Sequence, residues 1–121
     1  MLSLNMQKKA FDVFLDHTPD ELKDAMRQAF EIKENYLCNI FTVKRELFMQ
    51  FGNVAFSAIY DLLKSISKSE RSTKHPFWLA YLFERYTSCW YHALELSGKY
   101  RFLKIPLLTI DANKHIDWKK Q

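Results

Sequence analysis

The unbroken apolar periodicity of residues 18–52 constrains the fold of this chain more than any other feature of its sequence. At 100° per residue, the large apolar side chains of this stretch fall within one arc of about 160°, and charged and amide side chains fill the opposite side. The stretch opens with Thr18-Pro19-Asp20-Glu21, where the threonine hydroxyl can accept from a first-turn N–H and the glutamate can bond back to the cap. The pattern therefore predicts one long central helix over about residues 19–51, with a length of about 50 Å.

Three shorter amphipathic stretches predict helices that surround the long one. They cover residues 4–16 behind Ser3, residues 54–67 behind Asn53, and residues 76–97. The connections are short, except for the polar stretch 67–75, which we predict to be an exposed loop. The predicted fold is a mainly α, four-helix bundle-like architecture, with the bundle in residues 1–98 of a single domain that covers residues 1–121.

The two glycines of the chain stand where the apolar periodicity ends. Gly52 follows the predicted long helix, and Gly98 follows the last predicted helix. Because glycine adopts the left-handed conformation without steric strain, we predict that each of them terminates its helix.

Residues 99–121 differ from the rest of the chain in both pattern and charge. They carry six basic and two acidic side chains, whereas residues 1–98 carry twelve of each, so the whole net charge of +4 lies in this segment. Basic residues alternate with aromatic and aliphatic ones, which predicts a short extended segment or a hairpin. Residues 109–119 fit a hairpin with Asn113 in its turn, and a short helix over residues 112–120 is the alternative.

Composition excludes several classes of protein. A hydrophobic fraction of 48% is too high for a wholly disordered chain, and no apolar run is long enough to span a bilayer, so we expect no membrane association. Lys8, Lys9 and Asp12 interrupt the stretch in which a secretory signal would need an apolar core, which predicts a cytoplasmic protein. Cys38 and Cys89 lie 51 residues apart in predicted helices, which predicts free thiols in a reducing compartment.

The sequence lacks the motifs that hold a metal or a cofactor. It contains no glycine-rich phosphate loop, no nucleophile elbow and no paired Cys-x-x-Cys, and the pair Asp111 and His115 lacks a third ligand. We therefore expect neither a metal nor a cofactor.

One pair of residues on the last predicted helix has the spacing of a catalytic motif. Arg85 and His92 are seven residues apart, which places them about 20° apart around a helix and two turns apart along it. A cation that steadies a phosphate and a group that moves a proton are the minimum for metal-free RNA cleavage. The stretch Arg85-Tyr-Thr-Ser-Cys-Trp-Tyr-His92 resembles the Arg-x4–6-His motif of HEPN ribonucleases, small helical bundles that usually dimerise across that motif. The resemblance covers these two residues and the fold class, and it implies a ribonuclease with Arg85 and His92 as catalytic residues.

The basic C-terminal segment suggests a different function, the binding of nucleic acid. Its cations can neutralise phosphates and its aromatic rings can stack on bases, through Lys99, Tyr100, Arg101, Phe102 and Lys104. Three further cations in the predicted loop can reinforce them: Lys68, Arg71 and Lys74.

The function that the sequence favours is the binding of another macromolecule without catalysis, as by a small inhibitor, immunity, anti-defence or adaptor protein. Aromatic residues form 16% of the chain, and Tyr and Trp are enriched among the residues that dominate binding at protein interfaces. We expect the contact to combine an exposed strip of the last helix with the basic segment: Tyr81, Arg85, Tyr91, His92, Lys99, Tyr100, Arg101, Phe102 and Lys104. A protein partner is expected, and a homodimer through the apolar stripe of the long helix is the alternative.

Overall fold

The computed structural model describes residues 3–34, 41–74 and 76–105. Helices form 74% of these residues and no strand occurs among them, which confirms the mainly α class. The described residues contain five helices: α1 Leu4–His17, α2 Asp20–Glu31, α3 Arg45–Ser65, α4 Lys68–Ser72 and α5 Trp78–Leu96. Over the described parts of the chain, none of these helices combines the length and the apolar content that a membrane crossing requires.

α1 begins where its sequence predicts. The Ser3 hydroxyl accepts a hydrogen bond from Met6 N at 3.3 Å and so caps the helix. Met6, Ala10 and Phe14 recur every four residues and are buried, and α1 packs against α3. The Phe14 ring stacks on Tyr86 of α5 with 4.2 Å between centroids, and the Tyr86 hydroxyl donates to Ala10 O at 2.6 Å. These contacts fix α1 to α5 as well as to α3.

The predicted long helix over residues 19–51 is wrong in its bounds. α2 ends at Glu31, residues 32–34 and 41–44 are not helical, and the long helix of the bundle is α3, which spans 21 residues. Periodicity reports which side of a helix faces a core, and it can stay in phase across a break between two helices. A rod of about 50 Å would also outrun its neighbours, because the 19 residues of α5 cover only about 28 Å. The predicted continuity at residues 36–39 lies outside the described residues.

Thr18 has a different role from the predicted one. It is 3% exposed, and its hydroxyl donates to Phe14 O at 2.8 Å, so it closes α1. Pro19 takes the N-cap position of α2 and makes no side-chain cap. A hydroxyl between two helices can serve either of them, and here the end of the first helix takes it.

Only one of the two glycines ends a helix. Gly98 has a φ of 70° and follows the end of α5, as predicted. Gly52 lies inside α3, and the helix predicted over residues 54–67 begins at Arg45 instead. The predicted boundary at Gly52 is therefore wrong, because a helix can continue through a glycine at a cost of about 1 kcal/mol when packing supports it.

The predicted loop over residues 67–75 contains a short helix. α4 is capped by the Ser67 hydroxyl, which accepts from Glu70 N at 3.2 Å. α5 agrees with the predicted fourth helix to within two residues at either end. Residues 101–105 carry no regular secondary structure, and the predicted hairpin over residues 109–119 lies outside the described residues.

The centre of the bundle is the second half of α5. The main packing partners are α1 with α3 and α2 with α5. Every residue from Tyr86 to Leu94 is buried, and this run includes the polar side chains of Thr87, Ser88 and His92. Most polar groups of a helix that is buried on all sides need partners within the protein, and His92 has one, whereas Trp90 Nε1 and Tyr91 Oη have none in the described part of the chain. The site described below follows from that requirement.

Candidate functional site

Arg85 lies on α5 beside the end of α2. Its Nη2 donates to Phe30 O at 2.7 Å and its Nη1 donates to Ile32 O at 3.3 Å, while its guanidinium carbon lies 5.5 Å from the centroid of the Phe30 ring. The last carbonyls of a helix have no partner within that helix, and the last turn of α2 contains no basic residue. Arg85 therefore supplies both donors and a positive charge to the C-terminal end of α2.

His92 binds the main chain at Glu34, two residues after the last carbonyl that Arg85 binds. Its Nε2 donates to Glu34 O at 2.9 Å, and the residue is only 4% exposed. Because Arg85 and His92 lie on one side of α5 two turns apart, together they reach the carbonyls of every second residue over 30–34, at Phe30, Ile32 and Glu34. We call this arrangement the carbonyl clamp: Arg85 and His92 of α5 on the main chain of residues 30–34.

The carbonyl clamp bears on the resemblance to the ribonuclease motif. A general acid or base must come within hydrogen-bond reach of the proton that it moves, and a phosphate-binding arginine must turn its donors towards the ligand. Here Arg85 and His92 direct donors to main-chain carbonyls, and His92 is buried. The spacing of the two residues also fits a structural clamp across two turns of α5.

The predicted exposed strip on α5 is wrong for two of its four members. His92 is buried, and Tyr91 is 6% exposed, with its ring centroid 4.9 Å from that of Phe41. Burial raises the pKa of Tyr91 to about 12. Arg85 is half-buried, and Tyr81 is 53% exposed. The sequence does not predict this burial, because Glu34 contacts His92 and the rings of Phe41 and Phe51 contact Tyr91 from parts of the chain that lie far from α5 in sequence.

A small cleft lies next to the carbonyl clamp. Its volume is about 260 Å³, and it is lined by Ile32, Glu34, His92, Glu95, Leu96 and Lys104. Lys104 Nζ lies 3.4 Å from Glu95 Oε2, so this ion pair joins the chain that follows α5 to α5 itself. The cleft is smaller than most pockets that enclose a drug-sized ligand. It brings together two predicted contact residues, His92 and Lys104, without offering an evident ligand site.

The basic segment, which we define as residues 99–105, is anchored at two points. Phe102 is partly buried and packs against the core, and Lys104 makes the ion pair with Glu95. The aliphatic side chains beside these anchors are strongly exposed, Leu103 at 85% and Ile105 at 77%. The remaining predicted contact residues of this segment are also exposed: Lys99, Tyr100 and Arg101.

The outer face of α3 is a surface that the sequence analysis missed. We define it by four residues that follow one another at helical spacing: Met49, Asn53, Phe56 and Tyr60. The three large side chains among them are 51%, 64% and 61% exposed, in chain order. Phe56 fits the apolar stripe of the helix predicted over residues 54–67, whereas the core side of α3 carries small residues such as Ala55 and Ala58. The sequence signal for this surface is a second apolar stripe on the same helix.

Neighbouring side chains hold the rings of the outer face in place. The Phe56 ring lies against Phe83 of α5, with 5.6 Å between centroids. Lys64 Nζ lies 4.2 Å from the centroid of the Tyr60 ring. Both rings are thus positioned by contacts within the chain while most of their surface faces solvent.

The remaining chemically reactive groups do not form a site among the described residues. These residues contain no group of three or more His, Cys, Asp or Glu side chains that could hold a metal ion. Cys89 is a buried free thiol, and burial raises its pKa to about 11, which suppresses the nucleophilic thiolate. Cys38, Asp111 and His115 lie outside the described residues.

Comparison of the chain with models of protein families, with curated proteins and with solved structures gave no match in any of the three searches.

Proposed function

We propose that this protein acts by binding a protein partner and that the basic segment, residues 99–105, makes the contact. The observation that carries the proposal is the exposure of Leu103 and Ile105, at 85% and 77%, within a segment that is rich in cations. Aliphatic side chains that are exposed next to positive charges suit a partner with an apolar groove and an acidic rim. A small inhibitor or adaptor works through such a contact.

The anchors of the basic segment support this proposal energetically. Binding is weakened by the entropy lost when a loose segment becomes ordered, and a segment that is already held loses less. Phe102 packs on the core and Lys104 pairs with Glu95, so the side chains between and beside them start from a restrained position. Leu103 and Ile105 can then enter a partner with a smaller ordering penalty than those of an untethered tail.

The binding of nucleic acid is the second candidate for the same segment. Lys99 and Arg101 are exposed on either side of Tyr100, which is 39% exposed and carries a ring that can stack on a base. The second basic cluster, formed by Lys68, Arg71 and Lys74, gives the binding of nucleic acid less support. The reason is that α5, which spans about 28 Å, separates this cluster from the basic segment. Arg71 in that cluster also donates to Leu63 O.

The test is the capture of cross-linked partners from the source cells by the full chain and by matched variants. The double variant Leu103→Asp with Ile105→Asp should reduce the capture of a specific protein at least tenfold. Leu4→Asp is the control, because Leu4 is 83% exposed and belongs to α1, not to the basic segment. Equal capture by all three proteins would contradict the proposal.

Charge variants separate the two candidates. Lys99→Ser with Arg101→Ser should leave much of the protein capture intact if the aliphatic side chains dominate the contact. If nucleic acid is the partner, the same variant should abolish co-purification of RNA or DNA, read as the absorbance ratio. Binding of a nucleic acid probe should also weaken steeply between 50 and 200 mM salt.

A further inference from the structure

The outer face of α3 lies on the opposite side of the helix from the core. The buried residues of α3 centre on one direction: Phe51, Val54, Ala55, Ala58 and Leu62. At 100° per residue, Met49, Phe56 and Tyr60 point about 180° away from that direction. These three side chains therefore lie largely outside the core, apart from the contact of Phe56 with Phe83, although their size and type are those of core residues.

We propose that a second copy of this chain covers the outer face of α3 with its own α3, in an antiparallel pair. The proposal goes beyond the proposed function, because it uses a different surface from the basic segment. In a two-fold pair, the same residues face each other from both copies, so the face must be complementary to itself. Three observations support such complementarity, namely its charges, its area and the position of Gly52.

The charges flanking the outer face are arranged for an antiparallel pair. Glu46 and Lys64 are both exposed and lie on the same flank of α3, each about 60° from Met49 around the helix. When two identical helices pair antiparallel, each flank meets the same flank of the other copy. Glu46 then lies opposite Lys64 of the second copy, and the contact occurs twice. A parallel pair would bring opposite flanks together and would lose both contacts.

The area of the face is sufficient for a reversible dimer. With roughly 200 Å² for a fully exposed large side chain, Met49, Phe56 and Tyr60 expose roughly 350 Å² per copy. Two copies, together with the polar residues at the rim, would bury roughly 1,000 Å² in total, which is the lower bound for a specific interface. We therefore expect a weak dimer that forms reversibly as the concentration rises.

Gly52 leaves room for the partner helix to approach. It lies beside the outer face, and a Cβ built on it would meet no atom within 4 Å. The missing side chain creates a shallow depression next to Met49 and Phe56, into which a side chain of the second copy can fit. No part of the described chain fills that space.

The experiment is analytical ultracentrifugation of the full chain from about 1 to 500 μM. The wild type should shift from monomer to dimer as its concentration rises, and Phe56→Glu should remain monomeric throughout. Leu4→Glu, at an even more exposed site on α1, should dimerise as the wild type does. A wild type that stays monomeric, or a Phe56→Glu variant that still dimerises, would overturn the proposal.

Two charge reversals test the antiparallel arrangement itself. Glu46→Lys and Lys64→Glu should each weaken self-association about three- to tenfold, because each places like charges opposite one another twice. A mixture of the two variants should form a mixed dimer of at least wild-type affinity, since both contacts are then attractive. Failure of the mixture to recover association would overturn the antiparallel pair. If a different protein occupies this face, the wild type should stay monomeric, and capture of that protein should depend on Phe56. That result would overturn self-association.

Discussion

The second half of α5 and the outer face of α3 reverse the usual distribution of residue types. In α5, Arg85 and His92 are the residue types that acid–base and phosphate chemistry uses, and they donate hydrogen bonds to main-chain carbonyls inside the bundle. In α3, residues typical of a core, Phe56 and Tyr60, face solvent. The comparison teaches that residue type alone does not locate a functional site. In this chain the exposed aromatic and aliphatic groups are better candidates for contact than the polar groups of the last helix.

The largest expected effect comes from two phenylalanines on the same helix. Phe51 is 1% exposed and Phe56 is 64% exposed. Phe51→Ala should lower the free energy of unfolding by about 3–5 kcal/mol, because it leaves a cavity in the core. Phe56→Ala should lower it by less than about 1 kcal/mol at concentrations where the chain is monomeric. Urea unfolding of both variants provides the measurement, and equal losses would break the distinction between the two faces.

The carbonyl clamp should have the next largest effect. Arg85→Met keeps much of the apolar stem but removes two donors, so Phe30 O and Ile32 O lose their partners and stability should fall by about 2–3 kcal/mol. Arg27→Met is the control, since Arg27 forms only an exposed pair with Asp24 and should change stability by less than about 0.5 kcal/mol. Thermal unfolding compares the two. A stable Arg85→Met variant would remove the structural role that we give to the clamp.

The buried thiol predicts a pH dependence of smaller size. Burial raises the pKa of Cys89 to about 11, while the thiol of the unfolded chain ionises near 9. Below pH 9 the thiol is neutral in both the folded and the unfolded state, so its ionisation does not lower the free energy of unfolding. Between pH 9 and 11 only the unfolded state ionises, so the free energy of unfolding falls by about 2 kcal/mol. Cys89→Ala should show a correspondingly weaker loss in the same pH range, and identical pH profiles would contradict the burial of this group.

The smallest expected effect is a gain in stability from Gly52→Ala. Gly52 lies inside α3 with open space where a Cβ would stand, so Gly52→Ala should raise the stability of the monomer by about 0.5–1 kcal/mol through helix propensity. The same substitution should weaken self-association, because it fills the depression beside the outer face. Unfolding at low concentration and ultracentrifugation at high concentration separate these effects. Stabilisation without a change in association would leave Gly52 outside the interface.

The sequence predicts the helical elements well where local signals suffice. Ser3 caps α1, Gly98 ends α5, and both follow from the chemistry of the residue itself. The break after Glu31 does not, because the carbonyls at that end take their donors from Arg85, which lies far along the chain. Helical periodicity shows one side of each helix but not which neighbour covers it, and so Tyr91 and His92 were expected at the surface.

The two candidate surfaces also differ in whether a local sequence pattern predicts them. The basic segment is visible in the sequence because its charge pattern is local. The outer face of α3 is not, because Phe56 fits the core stripe of a helix equally well until the position of α1 decides which side is covered. Sequence patterns identify an apolar side chain, and only the packing of the neighbouring helices shows whether it is left uncovered.

The pairing of α2 with α5 has a consequence for the order of synthesis. The ribosome produces α2 well before α5, the helix that covers the apolar side of α2. At 5–20 residues per second, the interval between Glu31 and Leu96 lasts roughly 3–13 s. Throughout that interval Leu22 and Met26 of the nascent chain lack their final cover. Chaperone binding to nascent chains should therefore be greatest before α5 leaves the exit tunnel and should fall once Leu96 has passed.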